Sequence, residues 1–259
     1  MERTYWQKQT KSVPLFEGLL WSRPENRLHA GKLLIIGGNG YEFKAPANAY
    51  GDALDAGVGV ARVILPASLQ KTVARIFPEA EFAPHTPSGS FARSSLAQFL
   101  DGAAWADGVL LAGGLGRNSE TAIALESLLQ KYQGLLVLAN DAVEYCLDQP
   151  TGCLDRPDTG VVCTTAQLQK MAAKAQFATA FTSDMSLMNM VEALHEFSLL
   201  HTCNLIVWHD GAVIVASKGQ ISSTPADEFD PTDTAARAAV WWLQNPSKPY
   251  EALTTSLVA

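Results

Sequence analysis

The stretch Asp107-Gly-Val-Leu-Leu-Ala-Gly-Gly-Leu-Gly-Arg-Asn-Ser-Glu120, taken with Leu135-Leu-Val-Leu-Ala-Asn-Asp-Ala-Val143, decides the fold. Residues 109–112 form a short run of branched apolar side chains, too short for a helix, which reads as a buried strand. A turn follows at Gly113, Gly114, Leu115 and Gly116. Asn118 and Ser119 offer N-caps, and Glu120 suits the first turn of a helix whose apolar stripe is Ile123, Leu125, Leu128 and Leu129. Gly134 ends that helix, and residues 135–139 make the next buried strand. The unit is strand, glycine turn, helix, strand: a parallel crossover with its glycines at a strand's C-terminal end, where ligands bind in open α/β sheets. Glycines admit a ligand close to the backbone, and a helix N-terminus offers N–H groups to an anion such as phosphate. A tight turn that needs glycine for its geometry alone explains the same residues.

Working outward, the same alternation repeats. Strands are expected at 33–36, 60–65, 161–163 and 178–182, and helices at 16–21, 46–56, 69–77, 95–105, 142–147, 165–175, 183–201 and 232–243. Residues 78–89 and 148–160 read as loops. Residues 205–208 and 213–216 flank His209-Asp210-Gly211, an Asp-Gly hairpin, and a short strand is expected from Ile221. On the helix at 183–201, Met185, Met188, Val191, Leu194 and Leu199 form a stripe suited to core packing. No linker divides the chain, so one domain over 1–259 is expected. The architecture is a three-layer α/β/α sandwich with a mostly parallel sheet and an antiparallel C-terminal edge.

Composition narrows the function. The 259 residues carry a net charge of −7 and are 47% apolar. Such a chain builds a large core, and its acidity argues against a nucleic-acid or polybasic membrane surface. The first residues lack the apolar core of a signal peptide, and no apolar run reaches transmembrane length. Cys146, Cys153, Cys163 and Cys203 show no CxxC spacing and read as free thiols of a reducing cytoplasm. A homo-oligomer is compatible with the sequence. His195 and His201 share no helix face, and no metal-ligand cluster is expected.

The order of these motifs resembles the carbohydrate-kinase-like branch of the ribokinase fold, above all the ATP- or ADP-dependent NAD(P)H-hydrate dehydratases. The likeness runs from about Arg23 to Leu243. The family's opening matches Lys32, then Gly37, Gly38, Asn39, Gly40 and Tyr41, a small-residue helix, Gly57-Val58-Gly59 and a strand. Its Gly-Pro-Gly-Leu-Gly-Arg turn matches Gly113-Gly114-Leu115-Gly116-Arg117. Its Asp-Ala-Asp-Ala-Leu matches Ala139-Asn140-Asp141-Ala142-Val143, with only the second aspartate kept. The resemblance implies ATP or ADP with Mg as cofactor and a hydroxylated small molecule as ligand. Gly113, Gly114, Gly116, Arg117 and Asn118 would bind the nucleotide. Gly38, Asn39, Gly40, Tyr41 and Asp141 would bind the substrate, and Lys44 and Arg117 could meet phosphate. Asp233 would be the base that takes a hydroxyl proton while helix N–H groups steady the transferring phosphoryl.

The family's other motifs are absent. No lysine follows the strand ending at Trp208-His209, and residues 163–169 hold no glutamate. The Gly-Ser-Gly-Asp turn is replaced by Asp230-Pro231-Thr232-Asp233, in which Pro231 lacks an N–H. These losses suit a catalytically degenerate relative that binds a nucleotide or a protein partner; the kept glycine turn and Asp233 suit an active enzyme. A third reading rests on Gly114-x-Gly116-x-x-Ser119, an incomplete dinucleotide fingerprint with Asp141 to face a ribose, which implies an NAD-dependent oxidoreductase.

Overall fold

The computed structural model describes residues 4–147 and 150–259. Among the described residues ten strands form one sheet: β1 (Trp6–Lys8), β2 (Lys32–Gly37), β3 (Val60–Pro66), β4 (Ala80–Ala83), β5 (Gly108–Gly113), β6 (Leu135–Leu138), β7 (Thr159–Cys163), β8 (Asn204–His209), β9 (Ala212–Ser217) and β10 (Gln220–Pro225). The helices are α1 (Glu17–Trp21), α2 (Lys44–Asp55), α3 (Gln70–Val73), α4 (Leu96–Trp105), α5 (Ser119–Lys131), α6 (Ala142–Leu147), α7 (Pro150–Leu154), α8 (Thr165–Lys174), α9 (Leu187–Leu200), α10 (Pro231–Gln244) and α11 (Pro249–Ser256).

The sheet order is β1-β10-β9-β8-β7-β6-β5-β2-β3-β4. β2 to β8 pair parallel, and β8-β9-β10 are antiparallel, as the Asp-Gly hairpin requires. Asp210 and Gly211 both take positive φ in that turn. Side-chain alternation along the central strands builds both outer layers. Leu34, Ile36, Val109 and Leu111 join the core under α4 to α9, whereas Leu33, Ile35, Leu110 and Ala112 join the core under α1 to α3, α10 and α11. α10 lies deepest. Its alanines let it approach the sheet closely, and its own Trp241 and Trp242 are buried.

The structure differs from the sequence reading at several places. β1 is an extra edge strand that pairs parallel with β10, outside the antiparallel hairpin. The expected loop at 78–89 contains β4, and the helix expected at 69–77 is a short 3₁₀ turn and one turn of α-helix. Residues 178–182 form no strand. Ile123, Met188 and Leu199 lie exposed, while Ala124 and Met190 take the inward positions. Part of the loop expected at 148–160 is α7; residues 148 and 149 lie outside the described residues. α7 returns against α6 and brings the Cα atoms of Cys146 and Cys153 to 6.0 Å, where they form a disulfide. Only Cys163 and Cys203 are free, both buried. Among the described residues no helix is long and apolar enough to cross a membrane.

Candidate functional site

The chain runs from β2 to β3 and β4 toward one edge, then returns through β5 and continues to β8 toward the other. β2 and β5 are therefore neighbours at which the winding reverses, and a crevice opens beyond their C-terminal ends. The two glycine turns meet there. The Gly38 N–H donates to the Gly113 carbonyl at 3.0 Å, and Asn39 Nδ2 donates to the Gly114 carbonyl at 2.7 Å. Gly113 and Gly114 have φ of +96° and +69°, which favours glycine.

The turn is held from beneath by Asp141 and Tyr145. Asp141 Oδ2 accepts the Gly116 N–H at 3.0 Å, and the Tyr145 hydroxyl donates to the Gly116 carbonyl at 2.5 Å. Asp141 Oδ1 is buried and finds no hydrogen-bond partner among the described residues. Burial raises the carboxyl's pKa, against the opposing pull of the Leu115, Gly116 and Gly114 amides. Asn118 caps α5 by accepting the Glu120 N–H at 2.9 Å. Asn140 takes a left-handed φ of 55° and ties the end of β5 to α10. Its Nδ2 donates to the Ala112 carbonyl at 2.8 Å and to Thr232 Oγ1 at 3.0 Å.

The N-terminus of α10 is closed by its own residues. Asp230 is the N-cap, and its Oδ1 accepts the Thr232 N–H at 2.7 Å; Pro231 at the first helical position has no N–H to offer. Asp233 turns along the helix instead of toward the crevice. Its Oδ1 accepts from Arg237 Nε at 2.7 Å, an i,i+4 pair. Asp52 of α2 faces this group. Its pKa is pushed up to about 6, first by burial, then by Asp233 and Asp230, with Arg237 opposing. A carboxyl whose folded pKa is raised stabilises the fold below its unfolded pKa, and that stability is lost as pH rises through the folded value. Asp52→Asn is therefore expected to flatten the decline in stability between about pH 4 and 6 and to raise stability at pH 7. The gain should stay below about 1 kcal/mol because the site is half-solvated; thermal melts of both proteins across that pH range check it.

Three cavities line this edge. The smaller crevice, about 350 Å³, is bordered by Gly114, Asn140, Asp141, Asp230, Thr232 and Lys44. A larger cavity of about 650 Å³ shares Asp230 with it and is bordered by Lys11, Asp233, Arg237 and Ala259. The third, about 580 Å³, shares Asp141 and is bordered by Gly116, Arg117, Asn118 and Tyr145. Gly38 and Asn39 support the crevice from below. Gly40 packs on Gly89, and Tyr41 projects into solvent, so neither borders the three cavities. Asn140, Asp230, Asp52 and Arg237 were not assigned from sequence. Asp230 could have been recognised as the Asp-Pro signature of a helix start, and Arg237 by its spacing of four from Asp233.

At the start of α10 the Asp230 carboxylate takes up the Thr232 N–H, and Glu42, Asp141 and Asp230 outnumber Lys44 around the crevice. Among the described residues no group of three or more His, Cys, Asp or Glu is placed to hold a metal ion.

No family model matches the chain, and no curated protein matches it. Solved structures do. A ribokinase-like superfamily protein from Enterococcus faecalis V583 covers 100% of this chain and 87% of its own at 15% identity, with a TM-score of 0.72. An ADP/ATP-dependent NAD(P)H-hydrate dehydratase from Bacillus subtilis, co-crystallized with ATP/Mg2+, is 12% identical over 95% of this chain and 86% of its own, with a TM-score of 0.64. The pyridoxal kinase of Staphylococcus aureus, in complex with AMP-PCP and pyridoxal, is 12% identical over 87% and 85%, with a TM-score of 0.56. With its winding reversed between β2 and β5, its hairpin edge and these neighbours, the chain has the ribokinase-like fold.

Proposed function

We propose that the chain binds a nucleotide across the crevice and the larger cavity, and that it turns this ligand over little or not at all. One observation carries the reading: α10 is capped by Asp230 and opened by Pro231. Phosphoryl chemistry in this fold asks a helix N-terminus to donate N–H groups to developing negative charge. Here one of those donors is spent on Asp230 and another is missing. Asp233, the expected base, is committed to Arg237.

Binding itself is supported by different features. The crevice lies at the winding reversal, its floor is glycine, and it adjoins a second cavity large enough for a base and sugar. A fold neighbour co-crystallized with ATP/Mg2+ makes an adenine nucleotide the first ligand to test. Magnesium would travel with the phosphates, since that ion commonly needs only one or two protein carboxylates; Glu42, Asp141 and Asp230 are the carboxylates that border the crevice. The oxidoreductase reading finds no support in Asp141, which is turned onto the Gly116 N–H and not toward a ribose. Calorimetric titration with ATP and with ADP, magnesium present, is the test. A single saturable site for either nucleotide is expected, and heats no greater than dilution for both would remove the proposal.

A further inference from the structure

We infer that residues 257–259 form a strap over the larger cavity, that Arg237 latches it, and that the same guanidinium holds Asp233 out of use. The inference deepens the nucleotide reading above and rests on it for its consequence, though not for its geometry. α11 ends at Ser256, and burial falls away within three residues: Ser256 is buried, Leu257 and Val258 are half-buried, and Ala259 is exposed. Arg237 holds Ala259 through a 3.0 Å bond from its Nη1 to the Ala259 carbonyl oxygen. Ser256, Leu257 and Ala259 line the cavity opposite the 227–229 segment that precedes α10.

Arg237 is bidirectional. Its Nε meets Asp233 Oδ1 at 2.7 Å while its terminal nitrogen reaches the strap. The planar fork of an arginine suits two acceptors at once, which a lysine ammonium on one stem cannot match in the same geometry. Side chains of Arg237 and Asp233 are 32% and 41% exposed, and ion pairs so placed are weak and exchangeable, which suits a latch more than a permanent tie. Opening it releases two things together: the wall of the cavity and the carboxylate at the start of α10.

The test uses the full chain as wild type, Arg237→Met and Arg237→Lys. Hydrogen exchange is followed at Leu257 and Val258, whose N–H groups close onto the Thr254 and Thr255 carbonyls. Arg237→Met should speed exchange there by about tenfold while the rest of α10 and α5 keep their protection, the mark of a local opening. Its affinity for ATP with magnesium should shift by no more than about fivefold, the scale of one half-exposed ion pair. Arg237→Lys, which keeps the charge beside Asp233, should lie between the two proteins and serves alone if the methionine variant does not fold. Unchanged exchange at Leu257 and Val258 in a folded variant overturns the latch. Faster exchange with no nucleotide binding in any of the three proteins upholds the latch and removes the nucleotide reading instead.

Discussion

Gly113→Val should fail to fold stably, whereas Gly114→Val should fold and lose its ligand. The two glycines are adjacent in the same turn but face different surroundings. A β-carbon on Gly113 would lie 2.6 Å from Asn140 Cβ and 2.9 Å from Asp141 Oδ1, at a φ of +96°. Left-handed backbone costs about 1–2 kcal/mol for a non-glycine residue, and overpacking adds about 1–3 kcal/mol. The clash also falls on Asn140 and Asp141, which hold the start of α10 and the Gly116 N–H. A total of about 2–5 kcal/mol is a large share of a typical domain's stability. On Gly114 the nearest atoms to the added carbon are Gly38 Cα and N at 3.6 Å, an ordinary contact. The backbone penalty remains, but the valine methyls would stand in the crevice floor. Urea unfolding with far-UV dichroism separates the two outcomes for the fold, and the ATP titration does so for the ligand. Equal stability losses in both variants would mean that the turn is glycine for geometry alone.

The second large effect is a gain. Replacing Asp230 by glycine and Pro231 by serine frees the Thr232 N–H and supplies one more donor at the start of α10. It also removes a carboxylate from the crevice. Glycine is a tolerable N-cap, so the helix should weaken by only a few tenths of a kcal/mol. A hydrogen bond to a charged group contributes about 1.5–3 kcal/mol. The double variant should therefore bind ATP about 10- to 100-fold more tightly, as read by calorimetry. Affinity equal to wild type would show that the α10 cap is not what limits anion binding.

The central unit was legible in sequence because several levels of signal agree there. The 109–112 run, the glycines, Asn118 as cap and the following strand each point to one crossover, and the structure has it as β5, turn, α5 and β6. β1 was not legible, since three residues pairing with β10 over 200 positions away leave no local pattern. β4 is four residues flanked by Pro78 and Pro84, which read as loop. Residues 178–182 have strand-like composition, yet Phe181 is consumed in packing against Phe177 and Phe197. At the site, the motif order brought the glycine turns to one sheet edge but did not give the side-chain directions. Which of Asp230 and Asp233 faces the crevice is a matter of cap geometry. Asp230 lies before the first helical turn and caps it, while Asp233 lies one turn in, where Arg237 can reach it.

The most direct measurement of the central claim is ATP-dependent recovery of NADH from its hydrate, run for wild type and Asp233→Asn side by side. With one donor missing and another engaged at α10, about 3 kcal/mol or more of transition-state stabilisation is absent. Wild type should therefore run close to the uncatalysed rate, and Asp233→Asn should not differ from it. A wild-type rate typical of enzymes, falling about a hundred- to ten-thousand-fold in Asp233→Asn as loss of a general base does, would contradict the account and make the chain an active member of the kinase-like group.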